Sequence, residues 1–589
     1  MTDVLMRLAS ALADRYDIER ELGQGVVRAN PVAAGCGAMT WNLTLIVLVI
    51  SAAPLAAQNI DTALVRSIDS AFAWANTTSP GCAVGVDGAG APLVRRAYGM
   101  ANLETGTVWS VGTISESGSV AKQFTAAALV ILARDGVLSL DDDITRWIPE
   151  VRAIGRRITI RHLLTHTSGL PDRYALHQAE GRPAGEVDHP NAEVLDIVSR
   201  LRELNFDPGE DYLYSNTGYV VAATIVARAS GQSLQAFTQA RIFGPLGMTS
   251  TRWRVDHRTV VPGRASAYAG TSATGYRNDH PFTRVVGSGG LLITVDDFLR
   301  WEAALQSGAG AWGAVRDSLE RAGRLNDGTE LNYALGVGVG RWRGVPRVSH
   351  TGSTGGYRAA LYRFPDQQVS VALLCNAGVA DPSALATRVA VRVLGSALAE
   401  PDAEPAGVAV DSAVLAALAG AYHAPRTEEV LILAIRGGQL TDSLAGNQAL
   451  IPLAPDRFKY RGGQRTIRVV RAAGGAPVRL VMEASNARPV EYVQVARPRF
   501  DAAALAAYAG EYVSLELGAR ARFLVRGDTL MLDLGWRSST PFLPLYRDGF
   551  GNDDVGLARF LRDPRGRITG LVVWSGRVRH LRFERVATR

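Results

Sequence analysis

Lysine is almost missing from this chain. Of 63 basic residues in 589, only Lys122 and Lys459 are lysines, so 63 − 2 leaves 61 arginines as the general cation. A lysine at any position is therefore a selective choice. Cysteine is as scarce: Cys36, Cys82 and Cys375 are too few and too scattered for a disulfide framework or a four-ligand zinc site. Cys82 and Cys375 lie in apolar, strand-like runs and read as buried free thiols. There is no run of five basic residues and no zinc-finger or aromatic-plus-basic pattern, so the formal net charge of +7 is dispersed and nucleic acid is not an expected partner. G-x-S-x-G is absent, which removes the α/β-hydrolase elbow. His162 and His166 have the i, i+4 spacing of helical metal ligands, but the glutamate of H-E-x-x-H is missing, and no metal or cofactor is expected.

No apolar run reaches the ~20 residues of a membrane-spanning helix. The longest, Trp41 to Ala57, has seventeen residues without a charge and ends in small residues. It reads as a secretory signal (39–57, from Met39) cleaved near Ala57, which places the protein in the periplasm or outside the cell; an uncleaved anchor would be its only membrane contact. Upstream, Arg15 to Gly25 (RYDIERELGQG) resembles the opening of a bacterial Ser/Thr kinase domain. Arg28 replaces the third loop glycine and no lysine follows before Lys122, so 1–38 is a kinase-like remnant and not a working kinase.

What is present is globular: 47% of residues are hydrophobic, and the length allows about three or four domains at roughly 150 residues each. Residues 59–397 mix short apolar runs with helical patterns. The acidic, proline-containing stretch at 398–411 reads as a linker. Beyond it is a repeat: Leu415 to Tyr422 (LAALAGAY) matches Leu505 to Tyr512 (LAAYAGEY) at an offset of 90. The copies, 412–497 and 498–589, show short alternating strands broken by turns, the pattern of small antiparallel barrels. Neither collects a catalytic-looking cluster.

The chemistry concentrates upstream. Ser119 precedes Lys122 by three residues, and Val120, Phe124, Ala127, Ala128 and Ile131 form the apolar stripe of a buried helix that Gly136 stops. Residues i and i+3 share a helix face, so the lysine amine lies within reach of the serine hydroxyl. A desolvated lysine can act as the base that a serine nucleophile needs, or its charge can lower the pKa of a neighbouring tyrosine. Tyr214 and Asn216 follow a Pro-Gly turn and precede an apolar helix, Val220 to Ala229. His350-Thr-Gly352-Ser353 ends a strand, Gly355-Gly356 turns the chain into Tyr357–Phe364, and a hairpin at Pro365-Asp366 leads into Val369–Cys375.

In that order, S-x-x-K, Tyr-x-Asn and His-Thr-Gly resemble the serine β-lactamase and penicillin-binding-protein superfamily, in particular its class C β-lactamase, D-aminopeptidase and family VIII esterase branch. Ile158 to Pro171 (ITIRHLLTHTSGLP) and Gly287-Ser-Gly-Gly290 are similar to recurrent segments of that group. The resemblance implies an α/β (α+β) catalytic domain, an antiparallel sheet with a helical region, here followed by two antiparallel β-barrel modules like those of D-aminopeptidases. It implies Ser119 as nucleophile, Lys122 and Tyr214 as the proton-handling pair, Asn216 as an orienter, and the backbone N–H groups of Ser119 and Ser353 as the oxyanion hole. His350 and Gly352 would line the substrate's strand edge.

β-Lactamases usually carry lysine where this chain has His350, and a histidine of ordinary pKa is mostly neutral at pH 7.5. The expectation is therefore an esterase or D-peptidase-like hydrolase taking a small-molecule or peptide substrate, with cell-wall material among the possibilities. A class C-type β-lactamase or DD-peptidase is the alternative. A penicillin sensor that acylates without turnover is the rival of another class.

Overall fold

The computed structural model describes strands 16–20 and 27–31 and residues 62–182, 187–471, 477–484, 487–535, 538–552 and 555–587. The chain divides into two units, Met1–Asn59 and Ile60–Arg589. In the first, Tyr16–Arg20 and Val27–Pro31 pair as an antiparallel hairpin within the kinase-like stretch. The expected signal at 39–57 lies outside the described residues.

The second unit opens with helix α1 (Thr62–Ala71) and strands β1 (Cys82–Gly88) and β2 (Ala91–Tyr98). The helical region then contains α2 (Lys122–Arg134), α3 (Arg173–Ala179), α4 (Asn216–Ser230) and α5 (Val295–Ser307). Strands β3 (Gly338–Trp342), β4 (Val345–Thr354), β5 (Tyr357–Phe364) and β6 (Val369–Cys375) and helix α6 (Pro382–Leu394) complete the domain. The strands form one antiparallel sheet in the order β3-β4-β5-β6-β1-β2.

Side chains of a strand alternate between faces, and here both faces are covered. On β6, Val369, Val371, Leu373 and Cys375 join α1 and α6 in one core, whereas Ala372 and Leu374 join the core of the helical region. Double coverage explains why β5 and β6 read as nearly unbroken apolar runs. On β1, Gly85 faces α5 so closely that a Cβ would lie 2.7 Å from Leu299 Cδ1.

Cys82 and Cys375 are not free thiols. β1 and β6 are neighbours with these residues directly opposite, and they form a disulfide with a Cα–Cα distance of 4.0 Å across 293 residues of sequence. Burial of both is as expected; their pairing is set by strand register, which neither apolar run records. Replacing both cysteines by serine is expected to cost about 2–4 kcal/mol of stability, measured by denaturant unfolding under non-reducing conditions.

Residues 401–410 have no regular secondary structure. Two closed eight-stranded antiparallel barrels follow, from Gly420 to Val495 and from Gly510 to Arg585. The repeat is visible in atomic detail. Tyr422 donates its hydroxyl hydrogen to Leu418 O at 3.0 Å, and Tyr512 donates to Tyr508 O at 2.9 Å, so each barrel's first strand is tied to the segment four residues before it, at or just beyond the end of a short helix. Among the described residues no helix is long and apolar enough to cross a membrane.

Candidate active site

Ser119 lies in a 3₁₀ turn, Gly118–Ala121, that runs directly into α2 with Lys122 as its first residue. Helix α2 ends at Arg134, and Gly136 adopts φ +75°, the left-handed conformation expected after a helix C-terminus. The turn is pressed against β4. A Cβ on Gly118, whose φ is +50°, would lie 2.6 Å from Ser353 N, and one on Gly352 would lie 2.0 Å from Ser117 O and 3.0 Å from Ser119 N. Glycine at both positions lets the backbones of Ser119 and Ser353 meet, as two N–H donors sharing one oxyanion require. Gly352→Ala is accordingly expected to push β4 off the turn and lower kcat by ~10²–10³-fold, the loss typical of one oxyanion donor, in steady-state kinetics.

Lys122 is wholly buried. Its Nζ lies 3.1 Å from Ser119 Oγ, 2.8 Å from Asn216 Oδ1 and 2.7 Å from Ser288 O. Burial drives its pKa well below the ordinary 10.5; Asp172 opposes this, and Arg577 and Arg173 reinforce it. A neutral amine has two hydrogens and one lone pair. The two carbonyl oxygens take the hydrogens, which leaves the lone pair for the proton of Ser119. The active form is the deprotonated one, so kcat/KM falls as pH drops through the pKa of this site. Because burial lowers that pKa, the acid limb is expected far below 10.5; a limb near 10.5 in the pH–rate profile would refute a desolvated lysine base.

Tyr214 is hydrogen-bonded to Ser119, and its pKa is raised, chiefly by burial. This corrects the expectation that Lys122 would lower it. The amine lies 4.9 Å from the tyrosine ring, but burial of the phenol is the larger effect. A raised pKa favours the neutral phenol at Tyr214. Asn216 heads α4, and its N and Nδ2 both donate to Asp172 Oδ2, at 2.6 and 2.8 Å. Asp172 thus fixes the amide so that its oxygen faces Lys122.

His350 does line the cleft, beside Gly352 and Ser353. Its Nδ1 is 2.6 Å from Thr351 O and its Nε2 is 3.0 Å from Tyr333 OH. Burial, then Lys122, brings its pKa down to about 4, so the ring is neutral, donating through Nδ1 and accepting at Nε2. Both nitrogens are occupied, and neither offers charge to a substrate carboxylate.

The cleft measures about 510 Å³, and every site residue predicted from the sequence lines it except Lys122, which sits in its floor beneath Ser119. Sequence reasoning missed Asp172, Arg173, Tyr333 and Arg577. Asp172 and Arg173 directly follow the recurrent segment ending at Pro171 and were within its reach. Arg577 comes from the second barrel: its backbone oxygen accepts from Asp172 N and from Asn205 Nδ2, both at 3.1 Å, and its guanidinium lies 4.8 Å from the centre of the Tyr214 ring.

His162 and His166 each use Nδ1 within the protein. His162 Nδ1 accepts from Thr159 N in a helix cap, and His166 Nδ1 accepts from Ser215 N. Among the described residues, one group could hold a metal: His177, His189 and Glu193. Its imidazoles stack with centroids 3.7 Å apart at 14°, so their in-plane lone pairs do not converge on a single ion.

The Beta-lactamase family model matches residues 68–395, more than half of the chain. Penicillin-binding protein 4* of Bacillus subtilis is 32% identical over 307 residues, covering 48% of this chain and 65% of that protein. D-aminopeptidase of Brucella anthropi is 25% identical over 528 residues, covering 87% of this chain and 96% of the relative, barrels included. The octameric penicillin-binding protein homologue from Pyrococcus abyssi shares the fold, with a TM-score of 0.50 at 20% identity, over 82% of this chain and 98% of that one. With a serine, a buried amine and a phenol assembled at one cleft on that framework, the chain belongs to the beta-lactamase family, as a serine hydrolase.

Proposed function

We propose that the protein is an exported hydrolase that forms an acyl-enzyme on Ser119 with an ester or amide substrate, in the manner of an esterase or a D-peptidase. The observation that carries this reading is the buried Lys122 amine 3.1 Å from Ser119 Oγ, its pKa driven well below the ordinary 10.5 by burial. In acylation Oγ attacks the substrate carbonyl carbon and its proton passes to Lys122 Nζ. The oxyanion takes hydrogen bonds from the N–H groups of Ser119 and Ser353. Collapse breaks the bond to the leaving group, which takes the Tyr214 hydroxyl proton while Tyr214 is reprotonated from Lys122. Water then repeats the sequence on the acyl-serine and frees the acid. The D-aminopeptidase relative, matched along nearly its whole length, supports amides of D-amino acids among the substrates.

The test is steady-state turnover of a short-chain p-nitrophenyl ester, a D-alanine p-nitroanilide and a chromogenic cephalosporin, with Ser119→Ala as control. Ester or D-amide turnover with little cephalosporin hydrolysis is the expected result. Fast cephalosporin hydrolysis would make the protein a β-lactamase, and labelling of Ser119 without turnover would make it a sensor.

Export is supported by the Cys82–Cys375 disulfide together with the apolar run 41–57, because disulfides persist in oxidising compartments. Mature protein starting near Gln58 with Cys82 and Cys375 oxidised is expected; an intact N-terminus with reduced thiols in the cytosolic fraction would overturn it.

A further inference from the structure

Six charged side chains line the cleft, and four of them are spent within the protein. Glu116 receives two hydrogen bonds from Arg254, at 2.9 and 3.0 Å. Arg358 donates to the backbone oxygens of Gly355, Tyr357 and Gly378. Asp381 caps α6 by accepting from Ser383 N and Ala384 N. Arg173 and Arg577 remain. Among the described residues neither forms an ion pair, and their side-chain contacts are with rings: Arg173 over Tyr174 at 4.0 Å and Arg577 over Tyr214 at 4.8 Å. Arg173 is only 2% exposed, with Nε and Nη1 buried and without hydrogen-bond partners.

A buried guanidinium without a counter-charge is costly, and few sites hold one unless something else supplies the anion. Arg577 is held in place to share that role. Besides the two hydrogen bonds to its own carbonyl, its loop is fixed by Arg579, which donates from N to Asn205 Oδ1 at 2.7 Å and from Nη1 to Asp211 Oδ2 at 3.2 Å. The same Asp211 oxygen accepts from Arg426 of the first barrel at 2.9 Å. The arginine therefore reaches the catalytic cleft on a braced loop.

We propose that Arg173 and Arg577 form an anion subsite that selects ester or amide substrates carrying a carboxylate. Guanidinium presents paired donors matched to a carboxylate and does not lose its charge at working pH. This subsite replaces His350, whose nitrogens are both engaged, as the source of charge recognition. The inference rests on the acyl-serine reading above and narrows its substrate class.

The test uses the full-length protein and two matched pairs of chromogenic esters. Mono-p-nitrophenyl adipate against p-nitrophenyl hexanoate places the carboxylate on the acyl side; 5-acetoxy-2-nitrobenzoate against p-nitrophenyl acetate places it on the leaving group. In one pair, kcat/KM for the anionic ester relative to the neutral one is expected to fall by ~10-fold or more in Arg577→Glu. Comparing the ratio between proteins cancels the intrinsic reactivity of each ester. The pair that responds tells which side of the scissile bond bears the charge. Ratios unchanged in Arg577→Glu for both pairs would overturn the subsite while leaving the acyl-serine mechanism standing. If neither an ester nor D-alanine p-nitroanilide is turned over, the acyl-serine reading fails on its own, and calorimetric binding of the two anionic esters to Ser119→Ala protein, with and without Arg577→Glu, still decides. Equal binding in both proteins would overturn the proposal, and loss of binding in the double variant would sustain it.

Discussion

Ser119→Ala protein will turn over whatever ester or amide the wild type accepts at least ~10⁴-fold more slowly, with its unfolding transition unchanged. The size of the effect follows from what the hydroxyl does. In the proposed mechanism it forms the covalent intermediate, so its removal leaves only water, an oxyanion hole and bound substrate. The fold should not notice, because Ser119 Oγ contacts Lys122 and Tyr214 at the cleft floor and caps no helix. Mass spectrometry after a slow acylating substrate should find the adduct on wild type and none on the variant. Residual turnover within tenfold of wild type would place the nucleophile elsewhere.

Lys122→Arg should lose ~10³-fold in kcat, within the range of a missing general base. Arginine keeps the hydrogen-bond capacity toward Asn216 and Ser288 but brings a permanent charge and does not release a proton near neutrality. Its lone pair, unlike that of a neutral amine, is unavailable to Ser119. Lys122→Met, which fills the space without charge, separates loss of the base from burial of a permanent cation: both variants should be inactive, and the methionine protein should unfold at the higher temperature. The double variant Ser119→Ala/Lys122→Arg should be no slower than Ser119→Ala alone, since the two residues act on one proton. Activity in Lys122→Arg within tenfold of wild type would remove the lysine from proton transfer.

How far the sequence carried the reading depended on the range of the signal. The strands Tyr357–Phe364 and Val369–Cys375 are legible to the residue, because a Gly-Gly turn and a Pro-Asp hairpin bracket apolar runs of the right length. The barrels are legible because a repeat at offset 90 declares itself. Ser119, Lys122, Tyr214 and Asn216 are legible because each sits at the start of an apolar helical pattern in family order. The rest depends on contacts that no local pattern encodes. Cys82 meets Cys375 only because β1 and β6 are neighbours in this sheet order. The tyrosine's raised pKa and the engaged nitrogens of His350 follow from burial among aromatic side chains drawn from four separate segments. Arg173 and Arg577 are 577 − 173 = 404 residues apart, and a sequence that is one-tenth arginine gives no reason to pick out either.

The braced loop of the second barrel also sets an order of assembly. During synthesis the β-lactamase domain, ending near 395, is complete about 180 residues before Arg577 emerges, since 577 − 395 = 182. Domains fold as units, so the catalytic domain can form before Arg577 joins the lining of its cleft. Its charge selectivity arrives with the last barrel. A chain stopped anywhere between the linker and Arg577 keeps Ser119, Lys122 and Arg173 but lacks the second guanidinium of the proposed subsite.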